Sequence, residues 1–129
     1  MKEDELFGKC PYATAQKVLS GKWTILVLHH LEGGPLRFNE LQRRLPEMTA
    51  ATLSKLLKRM EEDSLVVRVD YGEMPPRVEY ELTPIGSEFR MVTDALGGWG
   101  EKYIRFLSGR DGRGPSAGSR RRPPSLRSP

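Results

Sequence analysis

The sequence contains one cysteine, Cys10, and two histidines among its 129 residues. A single cysteine excludes an intrachain disulfide and any zinc site built from several cysteines. The longest apolar run, from Trp23 to Leu28, is far shorter than the ~20 residues that a membrane-spanning helix needs. The polar, acidic N-terminus lacks the apolar stretch of a signal peptide. We therefore expect a soluble, cytoplasmic protein with no membrane partner.

Catalytic motifs are also missing. His29 and His30 are neighbours, and adjacent side chains on a helix point about 100° apart, which makes the pair a poor metal site. The sequence has no G-x-S-x-G motif, no phosphate-binding glycine loop and no metal-spaced His/Glu pair. We therefore predict that the protein is not an enzyme and needs neither a cofactor nor a metal.

Basic residues outnumber acidic ones by 21 to 17, but the excess is unevenly distributed. The stretch from Arg37 to Arg59 carries six basic and two acidic residues, whereas the stretch from Met60 to Asp94 carries three basic and nine acidic ones. A basic segment inside an otherwise acidic region favours a polyanionic partner at that segment.

Composition divides the chain into three parts. Residues 108–129 are rich in Gly, Pro and Ser, and hold six arginines against one acidic residue. Such a segment buries too little apolar surface to offset the entropy of ordering, so we predict a disordered tail. Residues 10–107 are predicted to form one folded domain, preceded by an N-terminal arm of residues 1–9.

The first half of the domain is predicted to be helical. Cys10-Pro11 begins a helix, because proline at the first helical position gives up only an amide that has no helical partner. Residues 13–19 continue this helix, and residues 22–31 form a second, more apolar one that ends before Gly33.

Two further helices have helix-turn-helix spacing. Asn39 is the predicted N-cap of the first, which ends at Pro46. Thr49 is the predicted N-cap of the second, over residues 50–62. Its expected buried stripe follows a helical repeat and consists of Leu53, Leu57 and Met60.

A β-hairpin is predicted after the helix-turn-helix. Residues 66–71 read as a β-branched strand, and residues 78–82 alternate apolar and polar side chains as a second strand. Pro75 and Pro76 stiffen the connecting loop. Helix-turn-helix followed by a hairpin predicts a winged helix-turn-helix domain of the α+β class, mainly helical.

The last helix is predicted to begin with Thr83 as its N-cap and Pro84 as its first residue. Its apolar residues repeat in steps of four and three over about three heptads. One reading places this stripe against the domain's own core; the other places its later part in a subunit interface. The N- and C-terminal helices are expected to form this interface, through Leu96, Trp99, Tyr103 and Phe106.

Four stretches carry a resemblance to a known family: CPYATAQKVLSGKWTILVLHHL, GPLRFNELQRRLP, TAATLSKLLKRMEEDSLV and PPRVEYELTPIG. Together, over residues 10–106, they resemble the HxlR family of bacterial transcription regulators, winged-helix proteins related to the MarR group. The resemblance implies a homodimer that binds double-stranded DNA at an inverted-repeat operator, with repression favoured over activation. Two positions depart from the family pattern: Ser64, where glycine is usual, and Leu56, where a polar residue is common.

In this architecture the helix over residues 50–62 would enter the major groove. Thr52 and Lys55 are the predicted contacts to base edges, and Ala51 could touch a thymine methyl group. Phosphate contacts are expected from the other basic side chains and from the helix N-terminus. This second group comprises Arg37, Arg43, Arg44, Thr49, Lys58 and Arg59, with Arg77 at the wing reaching the minor groove.

Cys10 has two open roles. The helix start and the neighbouring Lys9 favour a reactive thiolate, and some family members sense oxidants through a cysteine in this Cys-Pro position. A small electrophile or oxidant would then be the effector. The alternative is a buried cysteine that packs near the dimer interface.

Other functions remain open at the level of sequence. The winged helix could serve as a protein-interaction or RNA-binding module without operator specificity. The arginine-rich tail could also supply most of the DNA affinity, without specificity.

Overall fold

The computed structural model describes the backbone of residues 3–113 and the side chains of residues 5–109. Contacts divide the chain into two units, Met1–Thr93 and Asp94–Pro129. The elements along the described stretch are α1 (Glu3–Leu6), α2 (Pro11–Val18), α3 (Thr24–Leu31), α4 (Phe38–Arg44), α5 (Ala50–Glu62), β1 (Val66–Asp70), β2 (Val78–Leu82), α6 (Pro84–Glu88) and α7 (Arg90–Arg113).

The N-terminal helices begin where local chemistry favours it. Pro11 occupies the first turn of α2 and Cys10 is its extended N-cap residue, as predicted. The predicted arm of residues 1–9 contains a helix, α1, which the sequence reasoning missed. The turn after α1 is closed because the amides of Lys9 and Cys10 both donate to the carbonyl of Leu6, at 3.0 and 2.9 Å.

Helix α4 begins two residues earlier than predicted. Arg37, not Asn39, is the N-cap residue, and its amide donates to the Glu40 carboxylate at 2.8 Å. Glu40, the third residue of the helix, thereby provides the half of a capping box that accepts the amide of the N-cap residue. The prediction of Asn39 as N-cap was therefore wrong.

Helix α5 matches its predicted bounds. The Thr49 hydroxyl accepts a hydrogen bond from the amide of Thr52 at 3.1 Å, which caps the helix. Its stripe of Leu53, Leu57 and Met60 is at most 1% exposed. Leu56 is half-buried against the same core.

Strands β1 and β2 form a two-stranded antiparallel sheet in which Val66 faces Leu82 and Asp70 faces Val78. Leu36 adds an isolated bridge to Tyr80, which ties the segment before α4 to the second strand. The hairpin is therefore joined to the helix-turn-helix by backbone hydrogen bonds.

The core lies between α3, α4, α5 and the start of β1. It is almost entirely aliphatic, because the inner faces of these elements carry leucine, valine and methionine at helical spacing. Its buried members are Val27, Leu28, Leu31, Leu36, Leu41, Leu45, Met48, Leu53, Leu57, Met60 and Val66.

The predicted last helix is divided. Thr83 caps α6 through its hydroxyl and Pro84 is its first residue, as predicted, but α6 ends at Glu88 and α7 starts at Arg90. At the division, the amide of Val92 donates to the carbonyl of Phe89 three residues before it, at 2.9 Å.

Helix α7 continues to Arg113, past the predicted domain end at Leu107. Residues 108–113 were predicted to be disordered, and that prediction was wrong for them. They contain no proline, so each of their amides remains available to the helical ladder. The rest of the predicted tail, residues 114–129, lies outside the described residues.

Candidate nucleic-acid interface

The outer face of α5 is polar and solvent-exposed. Ala51, Thr52, Lys55 and Lys58 are all exposed, whereas the opposite face of the helix is buried in the core. The sequence produces this division because leucine and methionine recur every three or four residues, so the intervening positions must point outward. These four residues, which were predicted to contact DNA, therefore share one accessible face of the helix.

Two threonines organise the start of this face. The Thr49 hydroxyl donates to the Thr52 hydroxyl oxygen at 2.8 Å while accepting the Thr52 amide. A threonine hydroxyl has one donor hydrogen and two acceptor lone pairs. The hydrogen of Thr49 is thus committed within the cap, whereas Thr52 keeps its own hydrogen for a base or phosphate acceptor.

Arg59 behaves differently from the other basic residues of α5. Its Nη2 donates to the carbonyl of Ser20 at 2.8 Å and to the hydroxyl of Thr24 at 2.7 Å. Its guanidinium is therefore directed to the turn between α2 and α3. The sequence reasoning missed Ser20 and Thr24 as partners of this arginine.

Three arginines surround α4 and are exposed: Arg37 before the helix, and Arg43 and Arg44 in its last turn. Arg37 lines a cleft of about 430 Å³ together with the wing loop of residues 73–77. The structure therefore brings Arg37 and Arg77 to the same cleft, a proximity that their separation in sequence does not reveal.

Arg77 is held inside the wing by several groups. Its guanidinium carbon lies 3.9 Å from the centroid of the Tyr71 ring, and its Nη1 and Nε lie 3.4 and 3.5 Å from the carboxylates of Glu73 and Glu79. Glu79 also accepts the Tyr71 hydroxyl at 3.0 Å. The Asp70 carboxylate accepts the amide of Gly72 at 2.9 Å.

The Tyr71–Glu79 contact changes the acidity of the phenol. The hydrogen bond to Glu79, with desolvation and the negative charge of Glu79 adding to it, raises the pKa of Tyr71 above its ordinary value. The neutral phenol is the hydrogen-bond donor, so the contact favours the protonated form.

Cys10 is half-buried at the start of α2. The Thr14 hydroxyl donates to the Cys10 carbonyl at 2.8 Å and accepts the amide of Gly8 at the same distance. These bonds fix the backbone on both sides of the cysteine. Lys9 and Pro11 beside it line an apolar groove of about 540 Å³ between α2 and the α6 region.

The two histidines lie at the end of α3, as predicted. His29 Nδ1 is 3.4 Å from the Glu32 carboxylate. Burial, followed by the charges of His29 and Arg44, lowers the pKa of His30. Among the described residues, no group of three His, Cys, Asp or Glu side chains could hold a metal ion.

An aromatic ladder runs along α7. The rings of Trp99 and Tyr103 stack with centroids 5.1 Å apart, and those of Tyr103 and Phe106 with centroids 5.8 Å apart. Leu96 extends the stripe, and all four predicted interface residues are between 40% and 63% exposed.

No helix in the described part of the chain is both long and apolar enough to cross a membrane.

A helix-turn-helix with a basic outer face, joined to a two-stranded wing, defines the winged helix-turn-helix class of DNA-binding proteins. The model of the HxlR-like helix-turn-helix family matches residues 18–107. The chain therefore belongs to the HxlR-like helix-turn-helix family and is a DNA-binding transcriptional regulator of the helix-turn-helix type.

Individual relatives agree with this assignment. An HTH-type transcriptional regulator of Methanothermobacter thermautotrophicus is 42% identical over 103 residues, which cover 80% of this chain and 77% of the relative. The regulator YdeP of Bacillus subtilis is 38% identical over 97 residues, or 75% of this chain and 76% of YdeP. The structure of the redox regulator HypR in its oxidized form superposes with a TM-score of 0.68 at 35% identity, covering 72% of this chain and 96% of HypR.

Proposed function

We propose that the protein acts as a homodimer that binds an inverted-repeat operator in double-stranded DNA and represses transcription. The observation that carries this proposal is the exposed face of α5, where Thr52 and Lys55 stand opposite a fully buried stripe. A helix anchored in this way presents its side chains to the major groove without reorganisation.

Each exposed residue has a proposed role. Thr52 and Lys55 donate hydrogen bonds to base edges, and Ala51 contacts a thymine methyl group. The other basic residues bind phosphates around these base contacts, and phosphate contacts carry no sequence information. The proposed phosphate contacts are Arg37, Arg43, Arg44, Lys58 and the N-terminus of α5 at Thr49, whose hydroxyl hydrogen is already bonded to Thr52. Arg77 enters the minor groove from the wing.

The homodimer is supported by α7. Gly97, Gly98 and Gly100 lie within this helix, and a Cβ atom added at any of them would meet nothing within 4 Å. Glycine weakens a helix by about 1 kcal/mol relative to alanine, and no contact with the residues that the structure describes requires it here. If a second helix packs closely against α7, the glycines leave room for it and the exposed aromatic ladder is covered by it.

We also propose that oxidants or electrophiles regulate the protein through Cys10. The similarity to the redox regulator HypR and the position of Cys10 at a helix start support this role. Because the chain has one cysteine, two subunits must each contribute a thiol to form a disulfide, unless a small thiol is the partner.

The binding proposal is tested with DNA selected from a random duplex pool by the full-length protein. We expect an inverted repeat with half-sites about one helical turn apart. Lys55→Ala should weaken binding to the selected duplex by about 1–3 kcal/mol per half-site, roughly the value of a base-edge contact, and relax the preference at one position of each half-site.

Lys102→Ala is the matched control, because Lys102 is also an exposed lysine and lies on α7. It should bind the selected duplex as the wild type does. Enrichment of no duplex, or unchanged operator binding by Lys55→Ala, would contradict the proposal. Preferential enrichment of structured RNA from a parallel RNA pool would favour an RNA-binding module.

A further inference from the structure

Arg59 stands on the recognition helix α5, yet both of its described hydrogen bonds run back into the domain. The Ser20 carbonyl that it binds lies 39 residues earlier in the chain, and the Thr24 hydroxyl lies 35 residues earlier. Ser20 follows the end of α2 and Thr24 is the first residue of α3. One guanidinium nitrogen therefore joins three separate helical segments.

The acceptors are rigidly placed. Thr24 is fully buried, and its hydroxyl donates to the Ser20 carbonyl at 2.8 Å while its oxygen accepts from Arg59. The three groups thus form a closed set of hydrogen bonds. Bonds from a charged donor are shorter and stronger than neutral ones, so Arg59 has a defined direction rather than a solvated one.

The backbone of the turn allows this approach. Gly21 has a φ of +99°, in the left-handed region that favours glycine. A Cβ atom at this position would lie 3.4 Å from the Thr24 hydroxyl and 3.6 Å from Nη1 of Arg59. The guanidinium therefore packs directly over the turn.

The contact lies beside the residues proposed to read bases. A cleft of about 260 Å³ separates the α2–α3 turn from α5, and Arg59 lines it together with Thr52 and Lys55. A movement of α5 relative to the turn would displace Thr52 and Lys55 together with the helix. Lys58, the neighbouring cation on α5, is instead exposed.

We propose that Arg59 is a positioning residue that, through Ser20 and Thr24, sets where the recognition helix presents Thr52 and Lys55 to DNA. The proposal rests on the proposed DNA-binding function, and it removes Arg59 from the predicted phosphate contacts. It also gives Thr24, an uncharged and buried residue, an effect on operator recognition.

The test compares Arg59→Met, Thr24→Val and their double variant with Lys58→Met, all in the full-length chain. Arg59→Met keeps the unbranched stem but loses the donors, and Thr24→Val removes the hydroxyl without changing charge. Affinity is measured for the selected duplex and a scrambled duplex over a series of salt concentrations, together with thermal unfolding.

We expect Arg59→Met and Thr24→Val each to weaken binding to the selected duplex about tenfold, with little change for the scrambled one. The double variant should be no worse than the poorer single variant, because both remove the same contact. The salt slope should stay at the wild-type value. Lys58→Met should instead weaken both duplexes alike and reduce the slope by about 1.8, which is about 0.9 for the phosphate contact of each subunit. Arg59→Lys, which keeps a charged donor, should recover part of the specificity.

Three results would overturn the proposal. A reduced salt slope for Arg59→Met, with wild-type binding by Thr24→Val, would make Arg59 a phosphate contact. Lower thermal stability without any change in the ratio of specific to scrambled affinity would make it a purely structural residue. Unchanged binding by Arg59→Met to both duplexes would show that it has no role.

Failure of the proposed function itself would look different, because the wild type would then enrich no duplex. Amide hydrogen exchange of α5 in the DNA-free protein still decides the structural step in that case. Faster exchange in Arg59→Met and Thr24→Val, but not in Lys58→Met, would show that the contact holds the helix. Equal exchange in all variants would refute it.

Discussion

The Thr83 hydroxyl donates a hydrogen bond to the carbonyl oxygen of Ser64 at 2.6 Å. Ser64 follows the end of the recognition helix and Thr83 caps α6, so the contact joins the exit of one helix to the entrance of another. The Thr83 amide reinforces it by donating to the carbonyl of Leu65 at 3.0 Å. These two hydrogen bonds therefore hold the end of α5 next to the base of the hairpin, where β1 begins and β2 ends.

Ser64 adopts a φ of 62°, in the left-handed region. Its amide bonds the carbonyl of Glu61, and the amide of Leu65 bonds that of Met60, which is the Schellman arrangement that usually contains glycine. Ser64→Gly should therefore raise the free energy of unfolding by about 1 kcal/mol, the cost of a left-handed L-residue. Urea denaturation measures it.

Ser54→Gly is the matched control, because Ser54 is exposed in the interior of α5. There the same exchange should lower stability by about 0.5 kcal/mol. Equal effects of the two substitutions would show that the conformation of Ser64 carries no strain.

Gly86 packs against the backbone of Leu65. A Cβ atom at Gly86 would lie 2.1 Å from the Leu65 carbonyl oxygen, so α6 would have to move away from the hairpin. Gly86→Ala should lower the free energy of unfolding by about 2 kcal/mol or more, in the range of overpacked sites. In Gly97→Ala, where the added Cβ meets nothing, the same change should stabilise the helix of an isolated subunit. Unchanged stability of Gly86→Ala would contradict the close approach.

Features that are set by residues close together in the sequence could be predicted, whereas contacts between distant residues could not. The bounds of α5 follow from a cap at Thr49 and a stripe three to four residues apart, both of which are visible within one short segment. The hairpin likewise follows from alternation and its two prolines. The end of α7 was misplaced because a change in composition at Leu107 was taken for a change in structure.

Long-range partners were beyond reach for a physical reason. Arg59 could be placed on a helix face from its spacing, but nothing local indicates that Ser20 and Thr24 meet it from more than thirty residues away. Arg77 shows the same limit, since its contact with the Tyr71 ring depends on how the two strands pair across the hairpin. The charge pattern predicted where the basic side chains lie, but not which of them already bond to other groups of the domain.

The pKa of Tyr71 provides a test of the wing. Because the folded state raises this pKa, the phenol contributes stability that is fully present below its unfolded pKa near 10 and is lost as the pH rises through the folded value. Glu79→Gln removes the charged acceptor, so the pKa of Tyr71 should fall towards its ordinary value. The ultraviolet absorbance of the ionised phenol, taken as the difference from Tyr71→Phe, follows the titration.

Glu81→Gln is the control for this measurement, because Glu81 is the weakest of the influences on the Tyr71 pKa. It should shift the titration much less than Glu79→Gln does. A Tyr71 pKa that does not respond to Glu79→Gln would show that the hydrogen bond is not formed in solution.

The regulatory role proposed for Cys10 makes a separate prediction. Treatment of the wild type with diamide should release the selected duplex, and dithiothreitol should restore binding. Cys10→Ser should bind the duplex with or without diamide, since it has no other thiol to oxidise. A covalent dimer on a non-reducing gel would identify the product as a disulfide between subunits. Release of DNA from Cys10→Ser by diamide would exclude this cysteine as the sensor.

The aromatic ladder of α7 predicts how the subunits associate. Tyr103 lies at its centre, stacked on Trp99 and Phe106, and is 44% exposed. Burying an added carboxylate in an apolar interface is costly, so Tyr103→Glu should shift the protein to monomer in analytical ultracentrifugation and reduce operator affinity with it. Arg105→Glu places the same group two positions along, about 200° around the helix, and should remain dimeric. A monomeric wild type, or dissociation by both variants alike, would show that this stripe is not the interface.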